Sequence, residues 1–111
     1  MEYSLIYYPK CSTCVKGLAL LHEHGMKPQL INYMTEGLSE TQIAQIGRMI
    51  GSVRAIIREK TAIEKGVELD QSDDALIAAI VSDLSLLQRP ILIKVDEAIV
   101  GRPIEAMLAL K

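Results

Sequence analysis

Apolar and polar positions change period several times along the 111-residue chain, and each change marks an element. Residues 3–8 (Tyr-Ser-Leu-Ile-Tyr-Tyr) are a short apolar run rich in strand formers, the pattern of a buried strand. From 12 to 24 the apolar residues Val15, Leu18, Ala19 and Leu21 recur at helical spacing, and Gly25 offers that helix its stop. Pro28 to Tyr33 reads as a second strand, parallel to the first through a right-handed crossover. Ser39 has Gln42 three residues on, a capping-box pattern, and Ile43, Ile46 and Ile50 then share one helical face. Gly51-Ser52 breaks that helix, and 53–64 predicts another, ended by Gly66. Ser72-Asp73-Asp74 caps a further helix carrying Leu76, Ile77, Ile80 and Leu84. Residues 89–95 read as a strand, Asp96-Glu97 as a turn and 98–101 as a short antiparallel partner. Residues 103–110 read as a last helix with Pro103 in its first turn.

The predicted order is strand–helix–strand, a block of helices, then strand–strand–helix. At this length, with 50% hydrophobic residues, the chain is expected to fold as one domain over 1–111 without disulfide or metal staples. The formal charge of −2 gives no electrostatic basis for nucleic acid or an anionic membrane as the main partner. No apolar stretch reaches the ~20 residues that span a bilayer. The start, Met1-Glu2-Tyr3, lacks the basic and apolar regions of a secretory signal, so a reducing cytoplasm is the expected location.

That location matters for the two cysteines, Cys11 and Cys14, which carry all the thiol chemistry of the chain. They form Cys11-Ser-Thr-Cys14 at the junction between the first strand and first helix. A cysteine there faces unpaired helical N–H groups and the positive end of the helix dipole, which favour the thiolate. Lys10 and Lys16 add positive charge nearby. A structural zinc site needs about four ligands, and a second cysteine pair is lacking. His22 and His24, the only histidines, lie on the same segment without a ligand spacing. Two inert buried cysteines on a helix face are the other alternative. A Cys-x-x-Cys pair beside a strand–helix–strand pattern favours a redox or nucleophilic thiol, and resembles the thioredoxin arrangement. The expected fold is thus α/β and thioredoxin-like, a mixed four-stranded sheet with a helical insertion. The fold resemblance also implies a cis peptide bond before Pro90, facing the active cysteine. An ordinary trans proline at a strand start is the alternative.

Three arginines then stand out: Arg58 on the inserted helix, Arg89 before Pro90, and Arg102 after the hairpin. Guanidinium groups offer forked donors suited to tetrahedral oxyanions and stay charged at working pH. Each alone is as well read as a surface arginine paired with an acid. As a set around a thiolate they point to an oxyanion site.

Four blocks carry a family resemblance: Pro9-Lys-Cys-Ser-Thr-Cys14, Val53-Arg-Ala-Ile-Ile-Arg58, Leu87-Gln-Arg-Pro-Ile-Leu-Ile93 and Val100-Gly-Arg-Pro-Ile-Glu105. In order and spacing they resemble the glutaredoxin-coupled arsenate reductase family over nearly the whole chain. The resemblance implies that Cys11 is the nucleophile forming a thiol–arsenate adduct, and that Arg58, Arg89 and Arg102 hold and activate the oxyanion. It implies glutathione and glutaredoxin as the source of reducing equivalents, with no metal and no bound organic cofactor. Cys14 departs from the reductase pattern. A cysteine there resembles the Spx-type redox regulators that bind RNA polymerase, in which the two cysteines would form a disulfide switch. Tyr7 and Tyr8 also replace a polar pair that the reductases carry before the nucleophile. A general thiol–disulfide oxidoreductase is a further alternative. Neither alternative needs all three arginines.

Overall fold

In the computed structural model, which describes residues 3–111, the chain divides into two compact units. Met1 and Glu2, part of the segment on which the secretory-signal reading rests, lie outside the described residues. One unit comprises the chain up to Glu36 together with Arg89–Lys111, and the other is Gly37–Gln88.

The first unit is built on a mixed four-stranded sheet. Strand β1 (Tyr3–Tyr7) pairs in parallel with β2 (Gln29–Asn32). On its other side β1 pairs antiparallel with β3 (Ile91–Lys94), which pairs antiparallel with β4 (Glu97–Val100). The order β2-β1-β3-β4, with helix α1 (Ser12–Glu23) crossing between β1 and β2, is the expected thioredoxin-like α/β architecture. The register aligns Leu5 with Leu92 and Leu92 with Ile99, a row of apolar side chains on one face. Leu21 of α1 and Met107 pack with Leu5, Leu92 and Met26 into a core cluster. Ile6 and Ile91, on the opposite face, are buried as well, which is why the first strand reads as a continuous apolar run.

Some boundaries differ from the sequence expectation, each for a physical reason. After β2 the chain turns at once into a short helix, α2 (Tyr33–Glu36), so Tyr33 ends no strand. The β3–β4 turn is Val95-Asp96 and not Asp96-Glu97, because Lys94 pairs with Glu97 and leaves two residues to close the hairpin. Val95 adopts φ 57, an uncommon conformation for a β-branched residue. The last segment, Ile104–Leu110, is a 3₁₀ helix. Pro103 is its extended N-cap at ψ 161 and not a residue of its first turn.

The second unit is helical. Helix α3 (Glu40–Ile50) begins with the expected capping box: Gln42 N donates to the Ser39 hydroxyl, and the Gln42 side chain accepts from Ser39 N. It ends on Gly51 at φ 110, a left-handed cap. The helix predicted over 53–64 is instead two pieces, a 3₁₀ segment Arg54–Ile56 and helix α4 (Glu59–Glu64). Between them Ile57 is extended and bridges Leu87, while Arg58 N donates to Leu86 O and Gln88 N to Ile56 O. These long-range bonds take the backbone groups a continuous helix would use. Ser72 caps helix α5 (Asp73–Ser82) by accepting from Ala75 N. Leu84, expected on that helix, lies in the following 3₁₀ segment Leu84–Leu86. Asp83 breaks α5 there: its carboxylate accepts from Ser85 N.

Candidate active site

Cys11 is the N-cap residue of α1, with extended backbone at φ −96 and ψ 118. Its carbonyl accepts the first helical bond, from Val15 N, and its own N–H donates to Tyr8 O at 3.0 Å. The thiol therefore sits beside N–H groups that the helix cannot satisfy internally. Cys14, one turn on, is fully buried on the face that α1 also presents through Gly17 and Leu21.

The two thiols titrate in opposite directions. Burial pushes the Cys11 thiol up, but the Cys14 N–H, the Arg89 side chain, the Cys14 thiol and the Thr13 N–H outweigh it. The result is a fall from an ordinary 9.0 to about 7. Burial dominates at Cys14 and raises it to about 11; the backbone of Tyr8 opposes this, and the Cys11 thiol adds to it. Near neutral pH Cys11 is therefore the more acidic thiol of the pair, and Cys14 stays protonated.

Arg89 is the cation of this site. Its guanidinium lies 5.5 Å from the centroid of the Tyr8 ring, a cation–π distance, and Nη1 donates to the Tyr33 hydroxyl at 3.0 Å. Burial works against its charge; the Tyr33 hydroxyl and the Cys11 sulfur more than compensate and hold the guanidinium more firmly protonated. Arg89 Nε is buried and, among the described residues, has no partner. Arg102 joins the cluster by donating from Nε to Arg89 O at 2.9 Å, with its side chain otherwise exposed.

The Arg89–Pro90 peptide bond is cis, as expected, and so is Arg102–Pro103, which the sequence reading did not anticipate. Pro90 is buried between two glycines. A Cβ at Gly101 would lie 2.9 Å from Pro90 Cγ, and one at Gly17 would lie 3.3 Å from it. Gly101 N also donates to Pro90 O at 2.8 Å.

The structure thus brings Cys11, Cys14, Arg89, Pro90 and Arg102 together in the sheet unit. Arg58 belongs to the helical unit. It is not within the inserted helix, as expected, but is the extended N-cap of α4, because its N–H is drawn to Leu86 O; its Nη1 reaches Ser85 O at 3.5 Å. Among the described residues none of the three arginines is in an ion pair with a carboxylate. No cluster of three or more His, Cys, Asp or Glu side chains that could hold a metal is present among the described residues. Nor is any helix there long and apolar enough to cross a membrane.

Two contributors escaped the sequence reading: Tyr33 as acceptor for Arg89, and the Tyr8 ring beneath it. A signal existed. Parallel pairing aligns Tyr7 with Asn32, so Tyr8 and Tyr33 follow together at the carboxyl ends of adjacent strands, where α/β sheets place their sites.

Comparison with known proteins agrees with this geometry. Residues 6–110 match the ArsC family. An arsenate reductase of Haemophilus influenzae is 34% identical, with 97% of each chain covered. One of Neisseria meningitidis is 32% identical over 94% of this chain and 93% of its own. The solved arsenate reductase from Vibrio cholerae superposes with a TM-score of 0.88 at 32% identity, over 100% of this chain and 98% of that one. With a match running through both compact units and a thiol–arginine cluster where the strand–helix junction places it, the chain belongs to the ArsC family.

Proposed function

We propose that this protein is an arsenate reductase in which Cys11 forms the covalent adduct. The supporting observation is the Cys11 thiol itself: a helix N-cap sulfur that titrates at about 7 with the Arg89 guanidinium beside it. The Cys11 thiolate attacks arsenic, an S–As bond forms, and an arsenate oxygen leaves as water after taking up protons. Arg89 and Arg102 neutralise charge on the remaining oxygens, and Arg58 assists on the leaving-oxygen side. A second thiol then attacks the Cys11 sulfur. An S–S bond forms, the S–As electron pair passes to arsenic, and arsenite departs, so two thiols are oxidised while As(V) becomes As(III). The second thiol comes from glutathione or from Cys14, and glutaredoxin with further glutathione restores the Cys11 thiol. No bound cofactor enters this scheme. The whole of 1–111 acts as one domain, in the cytoplasm where glutathione is reduced, with arsenate or a similar oxyanion as the small-molecule partner.

The test is arsenate-dependent NADPH oxidation, coupled through glutathione, glutathione reductase and glutaredoxin. Turnover that vanishes in Cys11→Ser supports the proposal. Wild-type protein that turns over no arsenate under full coupling overturns it.

One observation favours a second reading, a Spx-type redox regulator: both free thiols lie at the start of α1, Cys11 at the N-cap and Cys14 three residues on. On that reading oxidation of the pair would alter binding to RNA polymerase, and arsenate turnover would be absent.

A further inference from the structure

Tyr33 is 0% exposed, at the point where β2 gives way to α2. Its ring fills core space, which phenylalanine would fill as well; the hydroxyl is the part that needs a reason. That hydroxyl accepts from Arg89 Nη1 at 3.0 Å, across 56 residues of sequence. The same guanidinium rests over the ring of Tyr8, whose carbonyl accepts from Cys11 N–H at 3.0 Å, and from there its charge favours the Cys11 thiolate. Cations in half-buried positions are usually steadied by a carboxylate, yet among the described residues none pairs with Arg89. The difference matters chemically. A carboxylate at this place would orient the guanidinium but neutralise it, and would compete with a thiolate or an incoming oxyanion for its donors. A neutral hydroxyl fixes the direction of Nη1 and leaves the positive charge available.

We propose that Tyr33 is the positioning residue that aims the Arg89 guanidinium at the Cys11 sulfur, through its hydroxyl. The inference rests on reading Cys11 as the reactive thiol. It adds a residue from the end of β2 to a cluster otherwise drawn from the β1–α1 junction and the segments around Pro90 and Arg102.

Tyr33→Phe keeps the ring and removes the acceptor. The readout is the pH dependence of Cys11 alkylation by iodoacetamide, resolved by mass spectrometry, in wild type, Tyr33→Phe, Arg89→Met and the double variant. In Tyr33→Phe the midpoint is expected to rise from about 7 by roughly half a pH unit or more, as the guanidinium loses its fixed aim. In the Arg89→Met background the same change is expected to move the midpoint no further. Tyr33→Phe with a lowered melting temperature but an unmoved midpoint would overturn the proposal, and so would equal shifts in both backgrounds. Should Tyr33→Phe fail to fold, NMR of arginine-labelled wild type decides. Separate Nη proton signals for Arg89 support a held guanidinium, and a single averaged signal refutes it. No step of this test uses arsenate. A wild type without arsenate turnover therefore sinks the reductase reading alone, while an unmoved thiol midpoint in an active enzyme sinks the Tyr33 proposal alone.

Discussion

Arg102 Nε donates to the backbone carbonyl of Arg89 at 2.9 Å, so the side chain of one site arginine is tied to the main chain of another. The bond leaves the Nη groups of Arg102 free of that tie while fixing where the side chain starts. It also links the end of the β3–β4 hairpin to the residue before the cis bond at Pro90. Among the described residues neither arginine is paired with a carboxylate, so both guanidinium charges are left for an anion.

Removing either cation should therefore weaken oxyanion chemistry more than it weakens the fold. Arg89→Ala or Arg102→Ala is expected to lose a charge-assisted contact of roughly 1.5–3 kcal/mol, about tenfold to a hundredfold in rate. Lysine at either place should restore only part of it, since an ammonium is no forked donor. Steady-state kinetics with arsenate and sulfate competition check this. An Arg102→Ala variant that binds oxyanions normally would remove Arg102 from the site.

The two thiols should separate cleanly in alkylation. Near pH 7 iodoacetamide is expected to modify Cys11 and spare Cys14, whose thiol titrates at about 11 and is fully buried. Peptide mapping after brief labelling is the measurement, and preferential labelling of Cys14 would reverse the assigned roles.

The same shifts predict the sign of the pH dependence of stability. The folded Cys11 value, about 7, lies below the ordinary 9.0, so between them the unfolded chain binds more protons. Stability from this group is full above 9.0 and is lost as pH falls through 7. Cys14 acts oppositely: its folded value is raised to about 11, so its effect is a loss of stability as pH climbs above 9.0. Urea unfolding of wild type should show a rise in stability from pH 7 to 9 that Cys11→Ser lacks.

Mild peroxide should join Cys11 and Cys14 within one chain, because residues three apart at the start of a helix can reach the ~5.5 Å Cα separation that a disulfide needs. Loss of two free thiols without dimer formation is the expected result. Cys14→Ser then distinguishes the two functional readings. A glutathione-coupled reductase should keep most arsenate turnover, whereas a redox switch should lose its response to oxidant and retain partner binding in the reduced form.

The glycines around Pro90 should differ in tolerance. A Cβ at Gly101 would meet Pro90 Cγ at 2.9 Å and Met107 Sδ at 2.8 Å, and a proline ring yields little. Gly101→Ala is expected to destabilise by about 1–3 kcal/mol. At Gly17 a Cβ would meet the terminal Met107 Cε at 2.9 Å, but also Pro90 Cγ at 3.3 Å and Ile104 Cγ2 at 3.4 Å. There alanine gains about 1 kcal/mol of helix propensity against that crowding, so Gly17→Ala should destabilise less than Gly101→Ala. Thermal unfolding of the two variants side by side tests the contrast.

Much of this protein is written locally. Ser39 with Gln42, and Ser72 with Ala75, close their caps within three residues, so the starts of α3 and α5 are legible from neighbours alone. The Cys11 environment is legible for the same reason: a strand followed directly by a helix sets a cysteine at the N-cap whatever the rest of the fold does. The sequence also carried the arginines, as residue types in recurring blocks. What it did not determine depends on residues far apart in the chain. The apolar spacing of Ile56 and Ile57 reads as helix, but Leu86, Leu87 and Gln88 claim the backbone there and break it just before Arg58. Val95 turns against its own preference because the pairing of Leu92 with Ile99 decides the register of the hairpin. The aim of Arg89 comes from Tyr33, 56 residues away, and its neighbour Arg102 is fixed through a carbonyl rather than a side chain. Local bonds compete only with water and report themselves in the sequence. Bonds between distant segments exist only once the sheet has aligned them, and that alignment belongs to the tertiary structure.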